Sequence, residues 1–96
     1  INGNTNEIPA SFELNQNYPN PFNPNTTIGF ALPNEQNVKL EVFDMTGKSA
    51  GVLVNSDLKA GTYKFDFNAS DLASGIYFYK LTAGSFVSTK KMILVK

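Results

Sequence analysis

Few of the residue types that carry chemistry are present in this chain, and most stand where a sheet surface would want them. The 96 residues include no His and no Cys. The commonest general base and metal ligand is therefore missing, and with it the usual nucleophile triads and dyads. Serines occur at Ser11, Ser49, Ser56, Ser70, Ser74, Ser85 and Ser88, and none is expected to sit in a G-x-S-x-G elbow. Glu41 and Asp66 alternate with apolar neighbours, which is the pattern of a solvated strand face rather than of an acid–base pair. A calcium loop in the Asn-rich opening segment is not supported. Glu7 is its only carboxylate, and hard cations take several charged oxygens. No metal, no cofactor and no catalytic residue is expected.

Two features could bind rather than catalyse. Lys90-Lys91 could grip a phosphate or a carboxylate, against the plainer reading of two lysines that keep a sheet edge soluble. Aromatic rings outside the core could stack on a sugar, and Tyr18, Phe22, Phe43 and Phe78 are the ones whose positions leave that open. The eight Lys are matched by eight acidic residues and there is no Arg. No basic stripe forms, so a nucleic-acid partner is not expected.

The elements that must position these residues read as strands. Ile28, Phe30 and Leu32 alternate in 27–32, as do Val38, Leu40 and Val42 in 38–44, and Tyr63, Phe65 and Phe67 in 62–68. That period of two is the strand signature. A short strand is expected near 51–55, another at 76–82 with Tyr77, Tyr79 and Leu81 inside, and a last one from Phe86 to Val95. On the second face of the 76–82 strand, Ile76 and Phe78 make an apolar patch. Phe12 and Leu14 suit a short edge strand.

The turns are chemically marked. Pro33–Asn37, Asp44–Lys48 and Ala83–Ser85 are reversals, with Gly47 available for a positive φ. Pro19, Pro21 and Pro24 exclude central strand and helix interior in the run Ser11–Thr27. That segment is expected to be an ordered, irregular cover pinned by Tyr18 and Phe22. Asp57-Leu58-Lys59-Ala60-Gly61-Thr62-Tyr63 and Asp71-Leu72-Ala73-Ser74-Gly75-Ile76-Tyr77 share the form D-L-x-x-G-x-Y. The same device is expected to launch two strands, with the loops at one end and each Tyr hydroxyl near the rim. One helical turn fits Ser70–Ala73, with Ser70 as its cap.

The whole is expected to be an all-β, immunoglobulin-like antiparallel β-sandwich of about seven short strands. Residues 1–9 read as a linker end or disordered segment and 10–96 as the domain. The first residue is Ile rather than Met, which suggests a segment of something longer. The longest nearly apolar run, Ile76–Leu81, carries Lys80 and is far short of the roughly 20 residues of a membrane span.

Three elements together resemble a known family. The first is Asn17-Tyr18-Pro19-Asn20-Pro21-Phe22-Asn23-Pro24 leading into Thr26-Thr27-Ile28. The second is Val38–Phe43 followed by the D-x-x-G turn Asp44-Met45-Thr46-Gly47. The third is Gly75-Ile76-Tyr77, then a hairpin and Thr89-Lys90-Lys91-Met92-Ile93-Leu94-Val95-Lys96. In this order and spacing they resemble the type A C-terminal sorting domain of cargo proteins exported by the type IX secretion system of Bacteroidetes and their relatives. The sequence is also similar to the immunoglobulin-like domain of the flagellar hook-capping protein.

The resemblance implies a non-enzymatic signal domain behind an N-terminal cargo. It implies passage through the periplasm, export across the outer membrane to the cell surface or medium, and removal by a sortase-like protease. Cleavage is expected in or near residues 1–9. Carried onto this chain, the recognition candidates are Lys90, Lys91, Met92, Ile93, Leu94, Val95 and Lys96. The last strand is expected to offer main chain for pairing with a receptor strand. Tyr18, Pro19, Asn20, Pro21, Asp44, Gly47, Gly75 and Tyr77 are implied to hold its shape. The rival readings are a spacer or stabiliser beside a secreted enzyme, and a carbohydrate-binding module.

Overall fold

Period-two alternation of apolar residues builds strands and no helix among residues 8–96, which the computed structural model describes. The strands are β1 (Glu13–Leu14), β2 (Asn25–Leu32), β3 (Gln36–Asp44), β4 (Ser49–Leu58), β5 (Gly61–Asn68), β6 (Gly75–Ala83) and β7 (Phe86–Leu94). They pair antiparallel in two sheets, ordered β1-β2-β5 and β4-β3-β6-β7. The chain changes sheet after β2, after β4 and after β5. This is the immunoglobulin-like sandwich expected from the sequence. The expected linker at 1–9 lies outside the described residues except for Ile8 and Pro9.

The core follows the alternation. Ile28, Phe30 and Leu32 from one sheet meet Val38, Leu40, Val42, Tyr79 and Leu81 from the other, all of them buried. Tyr63 and Phe65 also face inward but are only half-buried, because β5 is the edge of the smaller sheet. Both stack on Phe30, with ring centroids 5.4 and 5.7 Å away.

The strand expected at 51–55 is twice that long. Its register against β3 shifts between Leu40 and Glu41 and again between Val42 and Phe43. A bulge adds a residue to one strand and inverts the parity beyond it, which is why simple alternation does not reveal the full length of β4.

The repeated D-L-x-x-G-x-Y segments mark two changes of sheet, from β4 to β5 and from β5 to β6. In each, the Tyr hydroxyl donates to a carbonyl four residues back: Tyr63 to Lys59 and Tyr77 to Ala73, both at 2.6 Å. The Gly between carries a positive φ, 154° at Gly61 and 152° at Gly75, a region side chains resist. The shared device is thus a tyrosine corner at a sheet crossing. Because β5 runs the length of the sandwich between them, the two corners sit at opposite ends, not at one end. No helical turn forms over Ser70–Ala73. Leu72 N–H donates to Ala69 C=O in a single turn, and the side chain that caps it is Asn68, which accepts from Ser70 N–H at 2.8 Å.

Candidate functional site

Proline leaves the segment between β1 and β2 unable to pair as an ordinary strand, and the structure uses it as a strap. Leaving β1 in the three-stranded sheet, the chain crosses the open side of the sandwich and lies along β7, the edge of the four-stranded sheet. Four hydrogen bonds fasten it there. Gln16 Nε2 donates to Lys91 C=O (2.8 Å) and Ile93 N–H to Asn20 Oδ1 (3.0 Å). Phe22 N–H donates to Ile93 C=O and Val95 N–H to Phe22 C=O, both at 2.9 Å. The Phe22 ring is buried against Phe67.

Polar groups beneath the strap are fully used. Asn17 is 2% exposed. Its N–H donates to Tyr79 Oη (2.8 Å), and its Nδ2 donates to Pro19 C=O and to Thr26 Oγ1. Its Oδ1 accepts from Gln16 Nε2. The Tyr79 hydroxyl in turn donates to Asn15 C=O at 2.6 Å. Burial pushes the Tyr79 phenol up to about 12. A buried polar side chain with every partner present fixes one arrangement of the chain around it. Asn17 and Tyr79 therefore set where the strap lies. The sequence does not single them out, because Asn is frequent throughout 15–25 and only burial distinguishes this one.

Tyr18 and Phe22 divide their expected work. Phe22 pins the strap, whereas Tyr18 is 82% exposed and is held only by its main chain, which exchanges two hydrogen bonds with Thr27. Of the aromatics considered for sugar stacking, Tyr18 alone stands free; Phe22 is buried, and Phe43 and Phe78 are half-buried.

Alternation sends Lys90 and Lys91 to opposite faces of β7. Lys90 lies opposite buried Tyr79 and is half-buried along its stem, while Lys91 lies opposite Phe78 on the outer face and is exposed. Met92 and Leu94 point into the core; Val95 and Lys96 are exposed. Ile93 shares the outer face with its partner Ile76, next to Phe78. The last residue is tied to the β5–β6 connection: Lys96 N–H donates to Ser74 Oγ (3.1 Å) and its ammonium to Ser70 C=O (2.6 Å). The expectation of open main chain along β7 holds only for its first half. From Lys91 onward the Lys91 carbonyl, both main-chain groups of Ile93 and the Val95 N–H are occupied by the strap.

The other motif residues shape turns. Asp44 Oδ1 accepts from Thr46 Oγ1 (2.6 Å), Thr46 N–H (2.8 Å) and Lys48 N–H (3.1 Å). The Thr46 hydroxyl, followed by the Lys48 N–H, holds this carboxyl below its ordinary value. Gly47, at φ 88°, closes the reversal. Gly75 and Tyr77 form the second tyrosine corner.

One serine does have the G-x-S-x-G spacing of a nucleophile elbow, Gly47-Lys48-Ser49-Ala50-Gly51. That motif needs a sharp strand-to-helix turn, and Ser49 instead opens β4 after a hairpin. Its hydroxyl bonds Glu41, which with the Lys39 ammonium at 3.2 Å holds the Glu41 carboxyl low. No cluster of three metal-ligating side chains occurs among the described residues, and no helix there is long and apolar enough to cross a membrane.

An immunoglobulin-like sandwich whose last strand is strapped by a Tyr-Pro-Asn-Pro segment defines the class, and comparison with known proteins gives the family. The family described as "Secretion system C-terminal sorting domain" matches residues 16–96. The chain belongs to that family, and its role is to direct an attached protein to export through type IX secretion. Domains of the family are generally non-catalytic, and export of this kind leads to the cell surface or the extracellular space. No curated protein matches the chain. Among solved structures it is similar to PorZ, a bacterial surface component of the type IX secretion system of Porphyromonas gingivalis, at 19% identity and a TM-score of 0.59. The match covers 98% of this chain and 13% of that one, so the likeness concerns the fold of one domain in a much longer protein.

Proposed function

We infer that this chain is a sorting signal without catalytic activity, and that the surface read by the export machinery is the end of β7. One observation carries this reading: the strap and the Lys96 contacts hold 91–96 in a single arrangement while leaving Lys91, Val95 and Lys96 exposed. With the main chain there already bonded, a partner is expected to read side chains. Lys90 and Lys91 supply charge complementarity from two faces of one strand, which favours orientation and rate of encounter. Met92 and Leu94 act through the core, and Ile93 through the outer face it shares with Ile76 and Phe78.

The partners on this reading are the type IX machinery, a sortase-like protease acting in or near residues 1–9, and an N-terminal cargo domain that precedes the folded unit at 10–96. The route runs through the periplasm. The test is export of a reporter, fused to the chain behind a Sec signal, with Lys90→Ala, Lys91→Ala or both. Lys91 is exposed, so its change should shift stability by less than roughly 0.5 kcal/mol. Lys90 is half-buried, so secretion of its variants is compared at a temperature where melting shows them folded, and secretion should fall. Secretion equal to that of the unaltered fusion in the double variant would remove the lysines from the recognition surface.

A further inference from the structure

Each sheet has two edges, and unpaired edges invite unwanted strands unless something blunts them. Three of the four are blunted. The β7 edge is strapped from Lys91 onward, β4 carries two register shifts, and β1 is two residues long. The fourth edge is β5. It pairs with β2 from Gly61 to Asn68 without a shift, and no main-chain bond from another described segment meets its far side between those residues.

A sheet of three covers a sheet of four. The stack of Phe12 on Phe86, with centroids 5.0 Å apart, brings the β1 and β7 sides together, which leaves β4, buried only at Val54, as the least covered strand, on the β5 side. Apolar side chains gather there: Ala50, Leu53, Leu58, Tyr63 and Phe65 are five of the eight partly buried hydrophobics that pack around the core.

We propose that the far edge of β5 is a strand-addition site for an extended segment of a separate polypeptide, running antiparallel and carrying a basic–apolar–acidic triplet. The charges come from the outer face of β5, where exposed Lys64 and Asp66 flank Phe65. Opposite charges directly across a ladder attract and like charges repel. The incoming strand therefore places its basic residue across from Asp66 and, two positions on, its acidic residue across from Lys64. The apolar residue between them faces inward onto Phe65 and the β4 shelf. Ile8–Phe12 lead into β1 at the other edge of this sheet, away from β5, and the charge pattern is the ground for a separate chain. β5 itself reads Lys64-Phe65-Asp66, but a second copy would bring its own β4 into the same space. This site lies away from β7 and does not depend on the sorting reading.

The test uses the full chain and the peptide Thr-Val-Lys-Val-Glu-Val-Thr, followed by amide NMR. Shifts are expected at Gly61–Asn68 and along β4, with roughly fivefold weaker binding of the charge-inverted peptide Thr-Val-Glu-Val-Lys-Val-Thr. The double variant K64E/D66K should reverse that preference, and because both residues are exposed it should keep its fold. Equal affinity for the two peptides would overturn the proposal, as would no binding, shifts confined to β7, or concentration-dependent dimerisation through β5.

Discussion

Tyr79→Phe removes one oxygen from the place where the strap is anchored. That hydroxyl accepts from Asn17 N–H and donates to Asn15 C=O, and the residue is wholly buried. The variant leaves a buried N–H and a carbonyl without their partner, which costs about 1–3 kcal/mol. For a domain whose net stability is of the order of 5–15 kcal/mol, this is readily measured by urea unfolding. The alkaline limb supplies an independent check. The phenol is pushed up to about 12 from an ordinary 10, so the folded chain keeps a proton that the unfolded chain gives up. Its contribution is complete below pH 10, declines as pH rises from 10 to 12, and is gone above that. At about 1.4 kcal/mol per pH unit the loss is bounded at about 3 kcal/mol. The stability difference between wild type and Tyr79→Phe should therefore shrink across that window. A difference below 0.5 kcal/mol at pH 7, or one independent of pH between 9 and 12, would refute the role given to this hydroxyl.

Neighbouring motif residues should behave oppositely. Phe22→Ala empties a buried site and should cost about 3–5 kcal/mol, with faster hydrogen exchange at the Ile93 and Val95 amides, whereas Tyr18→Ala should leave unfolding within about 0.5 kcal/mol. Gly75→Ala meets no atom within 4 Å but inherits a φ of 152°; its cost of about 1–3 kcal/mol is then backbone strain alone, and equal stability would show that the corner tolerates a side chain. Asp44 is held low by Thr46 and Lys48, so its contribution is present above the ordinary carboxyl pKa and fades as pH falls through the lowered one. Asp44→Asn should flatten that acid limb in denaturation curves.

Much of the sandwich was legible because its inward rows are unbroken. Ile28-x-Phe30-x-Leu32 and Val38-x-Leu40-x-Val42 keep one parity from end to end. β4 was half hidden, since its two bulges reset the parity. The echo around Tyr63 and Tyr77 revealed a shared local device, but its placement at opposite ends depends on which sheet receives each strand, a long-range matter. The strap was recognisable by its prolines, yet nothing local says that it lies along β7, about 75 residues away by sequence. For the same reason the sequence does not show that the edge at Lys91–Val95 is occupied. Asn17 and Tyr18 are adjacent polar-capable residues, and only the packed structure shows that one is buried and the other stands in solvent.

The claim that this chain is itself the export address is tested most directly by the partition of a reporter between periplasm and medium in a type IX-competent host. Three fusions behind one Sec signal suffice: the intact chain, no added domain, and a folded immunoglobulin-like domain of unrelated sequence. The account predicts that only the intact chain carries the reporter outside. Retention of that fusion in the periplasm, or equal export by the unrelated sandwich, would contradict it and leave a spacer as the better description.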